Sequence, residues 1–305
     1  GNIISSIDEI LIDEVPDAIL VLGDTNSCLS VIPAKRRKIP IFHLEAGNRC
    51  YDSRVPEEIN RKIIDHTSDV NLTYSSIARD CLIREGLPAN LIIKTGSPLY
   101  EVINHYNADI QKSDILKKLK VEKDKYFLVS LHREENIDSE YNFKKLIFMI
   151  NYLAKNYNLP VIFSTHPRTR KKIVSDQVEL HPLINLAKPF GFFDYICLQK
   201  QSKFVLSDSG SIFEEASILS FTALSLRETQ ERHESFEECP VIMIGNNVDR
   251  LDQAISMFSM QNSKKSCINL VPDYAISNVS EKVLRIILSY TDYVNNVVWK
   301  KNNTF

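Results

Sequence analysis

The chain has 305 residues, 44% hydrophobic and 25% charged, an ordinary globular balance with length for one large domain or two smaller ones. Its 37 Lys and Arg against 39 Asp and Glu leave a net charge of -2, which argues against non-specific binding to nucleic acid or to a membrane surface. No apolar run approaches the roughly 18 residues of a membrane span. The 6 scattered cysteines include no CxxC pair and read as reduced thiols of a cytoplasmic protein, not a disulfide frame or zinc site.

Residues 2–15, NIISSIDEILIDEV, set Ile3, Ile7, Ile10 and Leu11 on one helical face and predict the tail of an amphipathic helix, with no strand before it. Nothing there reads as a signal peptide. Short apolar runs then alternate with helical stretches. AILVLG (18–23) leads into the helix-like TNSCLSVIPAKRRK, IPIFHLEAG (39–47) into a helix opening at Pro56, and VNLTYS (70–75) into IARDCLIREG. NLIIKTGSP (90–98) closes this half, and polar, Lys-rich residues 106–123 read as the crossing to a second. There YFLVSLH (126–132) precedes a helix over 140–157, followed by PVIFSTHP (160–167), INLAKP (184–189), FVLSDSG (204–210), TALSLR (222–227) and VIMIG (241–245). Unbroken apolar strands between helices mean parallel sheets covered on both faces, so the predicted class is α/β, with two doubly wound, Rossmann-like domains facing a cleft. The expected boundaries are 1–108, 109–277, and a C-terminal helix within 278–305 that crosses back to the first domain.

In open parallel sheets ligands bind outside the carboxyl ends of the strands. Those ends read Gly23-Asp24, Glu45-Ala46-Gly47, Gly96-Ser97, His132-Arg133-Glu134, His166-Pro167-Arg168, Asp208-Ser209-Gly210 and Arg227-Glu228. Acids gather in the first half; histidines, arginines and small donors gather in the second. Ser209, Gly210 and Ser211 form a turn into a helix whose free N–H groups suit a phosphate. Glu215 shares a helical face with Ile212 and Leu219, and a carboxylate there wants hydroxyl partners such as a sugar diol. Phosphate on the turn and ribose on Glu215 together suggest a nucleoside diphosphate. Simple helix capping with a surface acid behind it would produce the same residues.

Glu45 ends an apolar strand, where an acid is expected to be paired or functional. Asp24, taken alone, reads more readily as a helix N-cap than as a functional acid. Glu57 and Glu58 open a helix after Pro56, where acids are common, and Glu57 can pair with Arg61 at i+4. His132 and His166 both end strands, His43 reads as a core residue or one behind the site, and Arg232 lies in a loop where it could clamp a diphosphate or be solvated. The chain has no GxxxxGK[ST] loop, no GxGxxG after a strand and no HExxH, so neither a bound dinucleotide nor a metal is called for.

GDTNS (23–27), HLEAGNR (43–49), PEEINR (56–61), TGSP (95–98), HREEN (132–136), THPR (165–168), SDSGSIFEE (207–215) and RETQER (227–232) together resemble the non-hydrolysing UDP-N-acetylglucosamine 2-epimerases, in that family's order and over nearly the whole chain. The wording of HREEN and EAGNRC is most similar to the UDP-N-acetyl-L-fucosamine synthase branch, which epimerises UDP-2-acetamido-2,6-dideoxy-L-talose for capsule or O-antigen sugars. The resemblance implies a glycosyltransferase-B fold, a homodimer and a UDP-sugar substrate. It implies acid/base roles for Asp24, Glu45 and Glu57, and a place near the leaving diphosphate for His132. It implies UDP contacts for Ser209, Gly210, Glu215 and Arg232, with Tyr195 near the uracil.

The implied chemistry removes the C2 proton as UDP leaves C1, holds a 2-acetamido glycal, and reprotonates C2 from the other face as UDP returns. It asks for no metal or redox cofactor. The chain departs from the family pattern in lacking its first strand-and-helix units, in Ser211 where many relatives have Gly, and in His233 where they have Pro. Four other readings stay open: a UDP-N-acetylglucosamine/UDP-N-acetylmannosamine 2-epimerase, a retaining glycosyltransferase, a hydrolysing epimerase, and a truncated UDP-sugar-binding remnant without activity.

Overall fold

The computed structural model describes residues 1–131, 138–263 and 270–301. Each of the ten apolar runs holds one strand, and every pairing among the described residues is parallel. Contacts divide the chain into two units. One holds Gly1–Glu101, Thr229–Glu234 and the described residues from Pro272 on; the other holds the described residues of Val102–Glu228 and Ser235–Val271. No helix among the described residues is long and apolar enough to cross a membrane.

The first unit is built on a four-stranded sheet in the order β1-β2-β3-β4, with β1 Ile19–Leu22, β2 Ile41–Leu44, β3 Val70–Thr73 and β4 Ile92–Lys94. β2 and β3 are buried at every position, which is why their sequences do not alternate. β1 is an edge strand and leaves Leu20 and Leu22 exposed. One cluster joins Phe42, Leu44 and Leu72 to Val279, Val283 and Val294 at and beyond the helix Val279–Tyr293. A second cluster joins Val21, Val31 and Ile41 to Leu11 of the helix Asn2–Glu14. The predicted four-residue face of that helix is corrected here: Leu11 is buried with Ile7 packed beside it, whereas Ile3 and Ile10 are exposed.

The second unit carries six strands, β5 Phe127–Leu131, β6 Val161–Thr165, β7 Ile184–Ala187, β8 Phe204–Ser207, β9 Ala223–Ser225 and β10 Val241–Met243, in the order β10-β9-β8-β5-β6-β7. The chain runs outward through β6 and β7, then returns to the other side of β5 with β8. That reversal is a topological switch point, where connections leave adjacent strands in opposite directions and open a crevice at their carboxyl ends. The helix Glu140–Tyr157 begins where the Ser139 hydroxyl accepts the Asn142 amide and ends at Asn158 in the left-handed conformation. Its Phe143, Leu146, Ile147, Ile150, Leu153 and Ala154 recur at helical spacing and pack on Phe127, Val129 and Phe163.

Candidate active site

In the first unit the carboxyl ends of β1 and β2 bring two acids side by side. Glu45 is the first residue past β2, not part of the strand, and its φ of 76° is in the left-handed region that a non-glycine residue occupies only when its surroundings fix it. Its amide and that of Ala46 share the Leu72 carbonyl, at 3.1 and 3.2 Å. Its carboxylate accepts from Asn48 at 3.3 Å and from Arg232 Nη2 at 2.8 Å. Gly23, before Asp24, lies close by: a Cβ placed on it would sit 3.5 Å from Glu45 Oε2.

Asp24 accepts from the Arg61 guanidinium at 2.8 Å. Arg61 is buried and also donates to Glu58 at 3.0 Å, with Glu231 3.8 Å away. Burial works against its charge, but Glu231 and Asp24 outweigh that and keep it more firmly protonated than an ordinary arginine. The predicted Glu57–Arg61 pair is therefore replaced by Glu58–Arg61. Consecutive helical positions are about 100° apart, so Glu58 turns into the protein where Arg61 lies while Glu57 stays half-buried. Glu58 also receives the amides of Cys50 (2.9 Å) and Tyr51 (3.2 Å), which shapes the loop after β2. Glu57 makes no hydrogen bond or ion pair among the described residues.

Arg232 is 7% exposed, so the solvated reading of this side chain is overturned. It stands with the acids of the first unit, 5.7 Å from the Tyr74 ring, because its segment is tied there residue by residue. His233 Nε2 donates to the Arg49 carbonyl at 2.7 Å. The buried Glu234 accepts from Ser75 (3.0 Å) and Tyr274 (2.8 Å).

The second unit places the other predicted residues at its switch point, after β8. Ser211 stands at the N-cap of the helix Ile212–Leu219, yet its side chain makes no capping bond. Its hydroxyl instead meets Ser209 Oγ and Glu215 Oε1, both at 2.8 Å, while Gln199 donates to the other Glu215 oxygen. Simple capping therefore does not account for Ser211, and Glu215 has the partners that its apolar face demanded. Gly210 lies half-buried between the two serines. Tyr195 joins the group: burial first, then the Glu215 charge, raise its phenol above the usual range, while Ser130 and Gln199 act the other way. His166 caps its helix, Nδ1 accepting the Arg168 amide at 3.3 Å, and His132 lies outside the described residues.

The sequence pairs Arg61 with Glu57 only, and it does not single out Asn48, Glu58 or Gln199 as partners of the site. Asn48 and Glu58 lie inside HLEAGNR and PEEINR, where they are readable as partners of the acids. Gln199 sits in the helix Phe192–Gln201 with nothing in its local sequence to mark it.

Residues 1–288 match the family described as UDP-N-acetylglucosamine 2-epimerase. Among solved structures, the UDP-N-acetylglucosamine 2-epimerase from Rickettsia bellii is 49% identical with a TM-score of 0.88, covering 97% of this chain and 80% of that one. The Methanocaldococcus jannaschii UDP-GlcNAc 2-epimerase, solved in complex with UDP-GlcNAc and UDP, is 31% identical with a TM-score of 0.86 and coverage of 95% and 80%. A Pseudomonas aeruginosa UDP-2,3-diacetamido-2,3-dideoxy-D-glucuronate 2-epimerase is 31% identical over 76% of this chain and 64% of its own length.

Proposed function

The chain belongs to the UDP-N-acetylglucosamine 2-epimerase family, and from that membership we propose that it is an isomerase inverting C2 of a UDP-linked N-acetylhexosamine. UDP-N-acetylglucosamine, the sugar nucleotide in the relatives' names, is the first substrate reading. The wording of EAGNRC and HREEN favours a second, UDP-2-acetamido-2,6-dideoxy-L-talose going to UDP-N-acetyl-L-fucosamine.

In this reading the C1–O bond to the diphosphate breaks with its electron pair leaving on UDP, and a carboxylate takes the C2 proton. The product of that step is a 2-acetamido glycal with UDP held beside it. A proton delivered to the opposite face of C2 and return of the UDP oxygen to C1 complete the inversion, with no net change in redox state. Asp24, Glu45 and Glu57 supply the acid and base, and His132 and Arg232 oppose charge on the departing diphosphate. Ser209, Gly210 and Ser211 cradle phosphate, Glu215 takes the ribose diol, and Tyr195 lies by the base. The observation that carries the reading is the pairing of Glu45 with Arg232 and Asn48 at the strand end next to Asp24: a carboxylate held in a left-handed turn at the mouth of a sheet.

Proton NMR in D₂O tests it, with each UDP-sugar supplied in parallel. Deuterium entering C2 together with the 2-epimer supports proton-transfer epimerisation, and the faster sugar assigns the substrate. Free sugar and UDP accumulating instead would mean a hydrolysing enzyme. UDP binding with no exchange from either sugar would overturn the assignment.

A further inference from the structure

His43 lies in the middle of the site and has no part in the mechanism above. It is 1% exposed on β2, with Val21 and Asn71 as its neighbours on β1 and β3. Its Nε2 is 2.9 Å from the Gly23 carbonyl and its Nδ1 2.8 Å from Asp65 Oδ1. A carbonyl can only accept, so Nε2 carries a proton and donates. The Nδ1–Oδ1 contact then holds a proton as well, whichever of the two atoms it is assigned to. Asp65, wholly buried, receives Arg49 Nη1 at 2.6 Å and the Gly47 amide at 3.3 Å from each oxygen.

The two backbone points held in this way flank the acids. Gly23 immediately precedes Asp24, and Gly47 follows Glu45 by two residues. Gly23, Glu45 and Gly47 all have positive φ, at 78°, 76° and 86°. The two glycines take that conformation without strain, but Glu45, a non-glycine residue, keeps it only where surrounding contacts over-determine it, and the sheet ladder ends here. Gly23 donates to Leu44, and Glu45 and Ala46 both donate to Leu72, the last backbone bonds from these strand ends into the neighbouring strands among the described residues. Beyond them the imidazole–carboxylate pair ties the end of β1 to the turn after β2.

We propose that His43, by bridging the Gly23 carbonyl and Asp65, is a positioning residue that sets the Asp24 and Glu45 carboxylates for proton transfer at C2. The proposal rests on the epimerase reading. A buried histidine serving stability alone would make the same bonds, so the test separates rate from folding and from ligand binding. A misplacement of about 1 Å can lower a rate by about 100-fold. In the full chain, His43→Ala is expected to lower kcat for C2 inversion by about 100-fold, with KM and the Kd for UDP within about threefold of the parent. His43→Gln can place an amide nitrogen where Nε2 stands, and is expected to recover at least about tenfold of that loss. His43→Asn can meet Asp65 but not Gly23, and is expected to be slower than the Gln variant. If the Ala variant shows no cooperative melting, the Gln and Asn variants carry the comparison. Equal kcat for those two, an Ala variant within about threefold of the parent, or a loss of UDP affinity in step with kcat would overturn the positioning role. A parent that binds UDP but exchanges no deuterium at C2 would overturn the epimerase reading itself, and the positioning role with it.

Discussion

Glu45 carries the sharpest prediction at the scale of single residues. Glu45→Gln keeps the side-chain shape and can still accept from Asn48 and Arg232, but it cannot take a proton. Turnover is expected to fall by about 10²–10⁴-fold, while UDP binding by calorimetry stays within about threefold; normal turnover would remove Glu45 from the mechanism. This acid was visible in the sequence because it followed IFHL, where a carboxylate needs a reason. Its partner was less visible. Arg232 lies 187 positions away in sequence, and only the fold puts it 2.8 Å from Glu45. Glu57 and Glu58 show the opposite limit. The sequence marks both, but which one faces Arg61 depends on how the helix is rolled onto the sheet, and the i+4 rule for exposed helices does not see that Arg61 is buried. The serine turn was legible as a donor-rich strand end. Gln199 was not, because nothing in a helix sequence announces which side chain will reach a carboxylate on the next element.

Elements are held here by charge as well as by apolar packing. Arg49, on the loop after β2, reaches Asp65 of the helix Pro56–Thr67 and, at 2.7 and 2.8 Å, Glu85 at the end of the helix Ser76–Arg84. Burial raises the Glu85 carboxyl, but Arg49 and His66 outweigh it and bring it down to about 2 from an ordinary 4.5. A carboxyl lowered in the folded state adds stability that is complete above its unfolded value and vanishes as pH falls through the folded one. The parent's melting temperature is thus expected to drop faster between about pH 4.5 and 2 than that of Glu85→Gln. At pH 7 the variant is expected to be weaker by about 1–2 kcal/mol, a figure reduced for the partial exposure of Glu85. Parallel melting curves down to pH 2 would refute this. Gly47 fixes the same loop by a different means. At φ 86° an added Cβ would stand 2.4 Å from the Ala78 carbonyl oxygen, backbone that cannot step aside. Gly47→Ala is expected to cost about 2–4 kcal/mol, read from the urea midpoint. A cost below about 0.5 kcal/mol would mean that the loop and helix can part.

Across the whole molecule, the strand sequence alone settled the fold class. Short unbroken runs such as IPIF, YFLVS and PVIFS, too short for buried helices, read as strands buried on both faces, and both sheets are parallel throughout their described pairings. Strand order was not legible, since the reversal at β5 and β8 arises from which helices cross which face, a choice that local pattern does not encode. Local pattern suggests a C-terminal helix crossing back to the first half, but nothing in it marks Thr229–Glu234 as one of the three stretches of chain from which the first unit is assembled. That assembly has a measurable consequence. Val279, Val283 and Val294 cover the face of β2 and β3 formed by Phe42, Leu44 and Leu72. Each buried valine contributes about 1.5 kcal/mol or more, and tenfold in an opening equilibrium corresponds to about 1.4 kcal/mol. Removing residue 278 onward is therefore expected to lower hydrogen-exchange protection in β2 and β3 by at least about 100-fold. The amides of β5 and β6 should keep theirs, because Phe143, Leu146 and Ile150 cover them from within the second unit. Equal loss in both sheets would show that the units unfold as one cooperative body, and no loss in β2 and β3 would show that the C-terminal helix adds nothing to the sheet it covers.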